Sequence, residues 1–430
     1  MKNKNIAYLL FFAVFVFTSC EEFLNDPEPA QSLPSATAFT TARDIQTGLI
    51  GAYNAVSQSD LLGTNTSLCP DIMADNGEWR GSFPTYIDIF NIQVDALNGE
   101  IGGMWQQGFR AINHANLVLK ALTTVKDPAL TTELANRLEG EALFIRAAVY
   151  FEMVRFYGKP FGASSASDLG LPILTAPVEV SGDITFPARE SVAAVYSQVV
   201  ADFQRASTLL PERSERGRPN RTAAIGYLAE INFQQRNYPE AANLAGQVIA
   251  GSFALTAEPN GFFINEGSSE EIWAVIHTAQ DNPGVNGSLA TFHHVNGRGG
   301  DVVVAPDLVT NGFEKIVTDA QKAAIAAAGL TVEDLRFTTL TSQGNNIRNI
   351  EKYEDFTNNA DDAPVLRLAE YYLMRAEALA RQSGVTQESI DLLNAIRTRS
   401  LRVKDASGAV VANSNALVSF STADFTMQRL

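Results

Sequence analysis

Gly140-Glu-Ala-Leu-Phe-Ile-Arg-Ala-Ala-Val-Tyr-Phe-Glu-Met-Val-Arg-Phe-Tyr-Gly-Lys-Pro160 is the stretch that decides the fold. From Leu138 onward Ala142, Ile145, Val149, Met153 and Phe156 recur at helical spacing, and Gly158 and Pro160 stop the run. On a helical wheel the polar side chains fall on two narrow stripes, Glu139 with Arg146 and Glu141 with Glu152 and Arg155. Leu143, Phe144, Ala147 and Phe151 fill the arcs between them. A helix that is apolar on more than one face needs neighbours on more than one side, so this one belongs in the middle of a stack.

Outward from it, the same periodicity predicts helices over Ala42 to Val56, Met104 to Leu122 and Ser191 to Leu210. A helical hairpin, Ala224 to Gln234 and Pro239 to Ala250, turns at Arg236-Asn237-Tyr238, and its Ala229, Tyr238 and Ala241 have tetratricopeptide spacing. A second hairpin spans Leu366 to Arg399 with Gly384 in the bend. Three or four helix pairs result, so the expected class is mainly α, built from tetratricopeptide-like helix pairs. Two inserts, 61–103 and 252–365, lose helical periodicity and predict a loop-rich region bearing short strands at Glu271 to Ile276 and Asp301 to Val304. Thr331-Val-Glu-Asp334 reads as the cap of a short helix. Helical repeats gather such inserts on one face, where they bind.

The chain has 430 residues, 46% hydrophobic and 19% charged, which is ordinary globular composition. A formal charge of -16 with no Lys/Arg cluster disfavours nucleic acid as a partner. Lys2 and Lys4 precede an apolar run from Ile6 to Phe17, too short to span a bilayer and typical of a signal peptide. Thr18-Ser19-Cys20 followed by Glu21-Glu22 resembles a lipoprotein processing site, with Cys20 as the lipid attachment point; the alternative is an ordinary secretory peptide cleaved nearby. The expected organisation is a signal peptide over 1–19, a lipidated N-terminus and tether over 20–41 with Pro27, Pro29 and Pro34, and one domain over 42–430. An acylated Cys20 leaves Cys69 without an intrachain partner, so packing rather than disulfides must hold the fold.

None of the four histidines, His114, His277, His293 and His294, has metal-site spacing, and Gly297-Arg-Gly-Gly300 lacks the Lys and Ser/Thr of a phosphate loop. Acidic neighbours such as Glu270-Glu271 and Asp361-Asp362 are too common to nominate a hydrolytic pair. No catalytic residue, metal or cofactor is expected. Binding is better supported, because sugars are held by aromatic faces with carboxylates, amides and guanidinium groups supplying directional hydrogen bonds. Asp75-Asn76-Gly77-Glu78-Trp79-Arg80 places one flat ring among polar side chains. Trp79 reads equally as a ligand platform and as a cap on the core, whereas Trp105 and Trp273 read first as core.

Several separate stretches coincide with one family. They include Cys20-Glu-Glu-Phe-Leu-Asn-Asp-Pro27, Ile112-Asn-His-Ala-Asn116, the Gly140 to Pro160 helix with Gly170-Leu-Pro-Ile173, and Tyr238-Pro-Glu-Ala241. Glu271-Ile-Trp273, Asp334-Leu-Arg336, Pro364-Val-Leu-Arg-Leu-Ala-Glu370, Leu373-Met-Arg-Ala-Glu-Ala378 and Asn394-Ala-Ile-Arg-Thr-Arg399 follow in order. In these the chain resembles the SusD/RagB family of nutrient-binding outer-membrane lipoproteins of the Bacteroidetes. The resemblance implies four tetratricopeptide-like helix pairs supporting an irregular region. It also implies a lipid-anchored, cell-surface lid over a SusC-like TonB-dependent outer-membrane transporter, delivering oligosaccharide in polysaccharide utilization. A peptide-binding member, a partner-holding structural lipoprotein and, last, a glycoside hydrolase are the alternatives.

The family's ligand loops carry over to Asp71 to Asp88 and Ser269 to Asp301. The candidate contacts there are Asp75, Asn76, Glu78, Trp79, Arg80, Tyr86, Trp273, His277, Asn296 and Arg298. Family members continue past the Arg-Thr-Arg region into a further helix, while Ser421 to Leu430 begins that approach and stops. Either the chain is a short member or the reading is truncated, and a truncated core is expected to have an uncovered apolar face and low thermal stability.

Overall fold

The computed structural model of the chain describes residues 38–264 and 266–424. The expected leader 1–19, the lipidated Cys20, most of the tether and the last residues, 425–430, lie outside the described residues.

Eight long helices among the described residues form the base. In chain order these are α1 (Ala42–Val56), α4 (Gly99–Thr124), α5 (Thr132–Tyr157), α6 (Val192–Leu209), α7 (Arg221–Gln234), α8 (Tyr238–Ile249), α13 (Leu368–Ser383) and α14 (Gln387–Ser400). They pack as four successive pairs, α1 with α4, α5 with α6, α7 with α8 and α13 with α14, and each pair leans on the next. The starts are chemically marked: Thr41 accepts from Asp44 N in a capping box before α1, and Asn98, Thr131, Ser191 and Asn220 cap α4 to α7 in the same sense. Gly384 ends α13 at φ +78°, a left-handed stop that glycine adopts without strain.

α5 sits where its sequence places it. Every residue from Gly140 to Val154 is buried, including the polar stripes. Those stripes are matched: Arg146 forks onto both carboxylate oxygens of Asp202 at 2.8 Å, and its third nitrogen donates to Asn116 Oδ1 at 2.8 Å. Glu141 accepts from Tyr53 Oη at 2.6 Å and Arg218 Nη1 at 2.8 Å. Gly108 of α4 stands directly against the Met153 thioether, so a side chain there would push the two helices apart.

The irregular region carries shorter elements. They are α2 (Asn65–Met73), β1 (Gly77–Trp79), α3 (Pro84–Phe90), α9 (Gly261–Ile264), β2 (Glu271–Val275), α10 (Leu289–His293), β3 (Val302–Val304) and a π-turn at Leu308–Phe313. α11 (Asp319–Ala327), β4 (Thr331–Asp334), α12 (Leu335–Thr339), β5 (Thr341–Gln343), β6 (Arg348–Ile350), β7 (Ala363–Arg367), β8 (Leu401–Lys404) and α15 (Ser414–Val418) follow. The strands make one four-stranded sheet in the order β1-β3-β6-β5 and two antiparallel pairs, β2 with β7 and β4 with β8.

Three expectations are corrected here. Insert 61–103 is not simply loop: α2, β1 and α3 occupy it, each too short for a helical or strand period to register. Thr331 to Asp334 is a strand paired with Leu401–Lys404, and only Asp334 caps the next helix, accepting from Arg336 N at 2.9 Å. The final hairpin begins at Leu368 rather than Leu366, because Ala363–Arg367 is spent on β7 against β2.

Cores follow the same division. The main core runs through the stack, whereas Trp79, Tyr86, Phe292, Val302 and Ile350 belong to a smaller second cluster. Cys69 is buried there as a free thiol, its pKa pushed up first by burial and then by Glu100.

Candidate functional site

The pairing of β1 with β3 builds the site. Gly77 lies opposite Val304, Glu78 opposite Val303 and Trp79 opposite Val302. The chain leaving β1 at Arg80 therefore runs beside the chain entering β3 at Asp301, and Arg80 N donates to Asp301 O at 2.7 Å. Two loops more than two hundred residues apart in sequence meet on one rim.

Strand alternation decides which side chains face out. Gly77 and Trp79 point into the small core and Glu78 points away. Glu78 pairs with Arg80 at 3.1 Å, and the Arg80 side chain keeps 45% of its surface open. The loop then turns at Gly81, where a Cβ would fall 2.6 Å from the Trp79 ring and 2.7 Å from Asp301 Cγ, so a bare backbone is required. Phe83 follows, half-buried, with the Arg298 guanidinium 4.3 Å above its ring. Arg298 is fixed from both sides: Nε donates to Asp301 Oδ2 at 2.6 Å and Nη1 to Asn286 Oδ1 at 2.5 Å. Its Nη2 has no protein acceptor among the described residues. Asn296 lies exposed two residues before Arg298. The rim thus offers an exposed guanidinium, a carboxylate, amides and a ring-stacked cation, all on pre-positioned backbone.

The ten expected contacts divide. Glu78, Arg80 and Arg298 stand on this rim, and Asn296 lies in the loop that carries Arg298. Asp75 and Asn76 are exposed at the opposite end of β1, where Asn76 lines a separate cavity. Trp79, Tyr86, Trp273 and His277 lie buried away from the rim surface, covered by their own neighbours. Trp79 is 5% exposed, 4.6 Å from Tyr86 and 5.7 Å from Phe292 between ring centroids, so the core-cap alternative describes it. Tyr86 is buried and donates to Asn65 Oδ1 at 2.7 Å, and burial drives its phenol pKa upward. Trp273 packs edge-on against Phe144 at 4.8 Å and donates Nε1 to Gly217 O at 3.1 Å. His277 is buried with its ring nitrogens 3.1 Å from Asp361 O and 3.3 Å from Ser57 O. Asn286 and Asp301, which hold Arg298, were not expected; only the three-residue Arg298 to Asp301 spacing hinted at one of them.

Among the described residues no group of three or more His, Cys, Asp and Glu side chains is placed to hold a metal ion, and no helix is long and apolar enough to cross a membrane.

Comparison with known proteins agrees with the layout. A family model described as starch-binding and associating with the outer membrane matches residues 22–233, and the SusD family model matches residues 338–407. The chain is 24% identical to SusD-like protein P2 of Formosa agariphila, with 93% of this chain and 82% of that protein covered. Its fold is similar to that of a SusD superfamily protein from Bacteroides thetaiotaomicron, with a TM-score of 0.75 at 22% identity over 91% of this chain and 84% of that one. It is also similar to a SusD-like carbohydrate binding protein from Bacteroides vulgatus, with a TM-score of 0.66 at 21% identity over 88% and 79% of the two chains.

Proposed function

The chain belongs to the SusD/RagB family, and on that premise we propose that it is a lipid-anchored surface protein that captures oligosaccharide and passes it to a TonB-dependent outer-membrane transporter. The observation that carries this reading is the convergence of two distant loops on the β1/β3 rim. There the Glu78–Arg80 pair leaves β1 beside Asp301, and Arg298, held by Asp301 and Asn286, lies over the half-buried Phe83 ring. Polar groups of both signs beside a ring suit a neutral, hydroxyl-rich ligand, which both donates and accepts. Carbohydrate binding by the Bacteroides vulgatus neighbour of the same fold adds support. The small-residue start at Thr18-Ser19-Cys20 supports the lipid anchor, and the stacked helix pairs supply a broad face for a protein partner.

A glycan array probed with the purified protein tests the first part. Saturable capture of one neutral glycan class is expected, and a folded protein that captures none on an array spanning plant, host and microbial glycans defeats the reading. Affinity purification from the native outer membrane tests the second, with a TonB-dependent barrel as the expected co-purifying partner.

A further inference from the structure

The opposite end of β1 opens into a cavity of about 400 Å³ between the small sheet and the helices α13 and α14. Asn76 and Gly77 form one edge, Val304 and Ile350 the sheet wall, and Leu373 and Ile396 the helical wall. Four cations line it: Arg336, Lys352, Arg367 and Arg399. Three carboxylates answer them. Asp334 holds Arg336 at 2.7 Å, the buried Glu270 holds Arg399 at 2.5 Å and reaches Arg367 at 3.7 Å, and Asp71 lines the cavity itself.

Lys352 is the one left over. Its ammonium lies 5.5 Å over the Phe263 ring and has no ion pair within 4.0 Å and no hydrogen bond among the described residues. Asp71 acts on it from beyond contact distance, and burial dominates, pulling the ammonium pKa down. Arg399 Nε, on a side chain only 10% exposed, is a second donor in the same wall without a partner. Donors and charges withdrawn from water are ordinarily matched, so the half-buried Lys352 and the buried Arg399 Nε on one cavity wall suit an acceptor-bearing ligand. The apolar walls suit a carbon skeleton, and the volume lies within the range of small-molecule sites.

We propose that this cavity binds a small organic carboxylate of about monosaccharide size, with Lys352 supplying the counter-charge and Asp71 accepting from the ligand's hydroxyl or amino groups. This site is separate from the rim and does not depend on the rim's ligand. A sugar acid and an acyclic acid share the carboxylate, so the test uses both.

Calorimetric titration of the purified protein with glucuronate, succinate and glucose decides. At least one carboxylate is expected to bind at least tenfold more tightly than glucose: glucuronate if the source is a sugar acid, succinate if it is an acyclic acid. Lys352→Met is expected to lose at least tenfold in carboxylate affinity while its ligand-free unfolding midpoint stays or rises, since an unmatched, half-buried charge has been removed. Leu373→Trp, at a position 42% exposed on the cavity wall, blocks entry without touching the charges and is expected to abolish binding. Arg80→Ala, on the rim, is expected to leave carboxylate affinity unchanged, which keeps failure here distinct from failure of the rim reading. Equal affinity for glucose, undiminished binding by a folded Lys352→Met or Leu373→Trp, or silence from the folded wild type overturns the proposal.

Discussion

The helical stack and the irregular region treat buried polar groups differently. In the stack Arg146 satisfies Asp202 with a two-pronged contact and Asn116 with a third, and Tyr371 donates to the buried Glu230 at 3.0 Å. Tyr227 Oη and Arg399 Nε are its exceptions among the described residues. In the irregular region Trp79 Nε1 and Asn349 Oδ1 are buried without partners inside a sheet whose strands are three residues long. Its loops expose Ile92 and Leu97 at 67% and 90%. The stack is a satisfied frame. The irregular region gives up some satisfaction to hold side chains at a surface, which is the expected cost of a binding face.

The largest effect belongs to the frame. Arg146→Met leaves Asp202 buried and uncompensated and is expected to cost about 3 to 5 kcal/mol in chemical denaturation. Adding Asp202→Leu should return much of it. A single-variant loss below about 1 kcal/mol would break the contrast between a satisfied frame and a strained face.

Trp79→Ala comes next, at about 3 kcal/mol, because it empties the centre of the smaller core. Trp79→Phe should cost far less, since the orphaned indole N–H leaves with it. Hydrogen exchange should show the loss confined to β1, β3 and α3. An unchanged unfolding midpoint with weakened ligand binding would instead restore the platform reading.

His293 sharpens the comparison through pH. Burial in α10, near Asp71, Lys352 and Tyr353, pulls its imidazole down to about 4, against the opposing pull of the Leu289 carbonyl. The unfolded chain, with an ordinary value of about 6.5, binds the proton first as pH falls. Stability is therefore whole above that value and is lost on the way down, by about 2 kcal/mol at pH 5. Urea titrations at pH 7 and pH 5 should show this loss as a change in the difference between wild type and His293→Phe, because burial raises the Asp362 carboxyl to about 7 and its titration acts in the opposite sense in both proteins.

The smallest effect returns to α5 and α6. Arg205 and Glu139 join the same two helices as Arg146 and Asp202, but with 54% and 32% of their side chains in solvent. Arg205→Ala should cost no more than about 0.5 kcal/mol, and that fraction should fall further in salt.

What the sequence revealed follows from element length. α1 and α5 to α8 are each at least twelve residues long, enough for several turns of apolar periodicity, and their caps are ordinary Thr, Ser and Asn signals. α2 and α3 span about two and a half turns or less and β1 three residues, too short for a period to show them. The two candidate ligand loops meet at the β1/β3 rim, yet sequence alone does not sort the side chains within them. Trp79 lies among polar neighbours and reads equally as platform and core cap until β1 is paired with β3, which fixes Glu78 outward and Trp79 inward. Likewise, nothing near Arg298 announces Phe83 beneath it, because that contact exists only after two distant segments share a sheet edge. Sheet registry, rather than local propensity, made the site.

The central claim is that the rim at Arg80, Phe83 and Arg298 binds oligosaccharide. Calorimetric titration of wild type and of Arg80→Ala/Arg298→Ala with the neutral oligosaccharide captured most strongly on an array tests it directly. The account predicts saturable binding by wild type, a loss of at least tenfold (about 1.4 kcal/mol) in the double variant, and near-coincident unfolding midpoints. Undiminished affinity in a double variant that unfolds with wild type would contradict it.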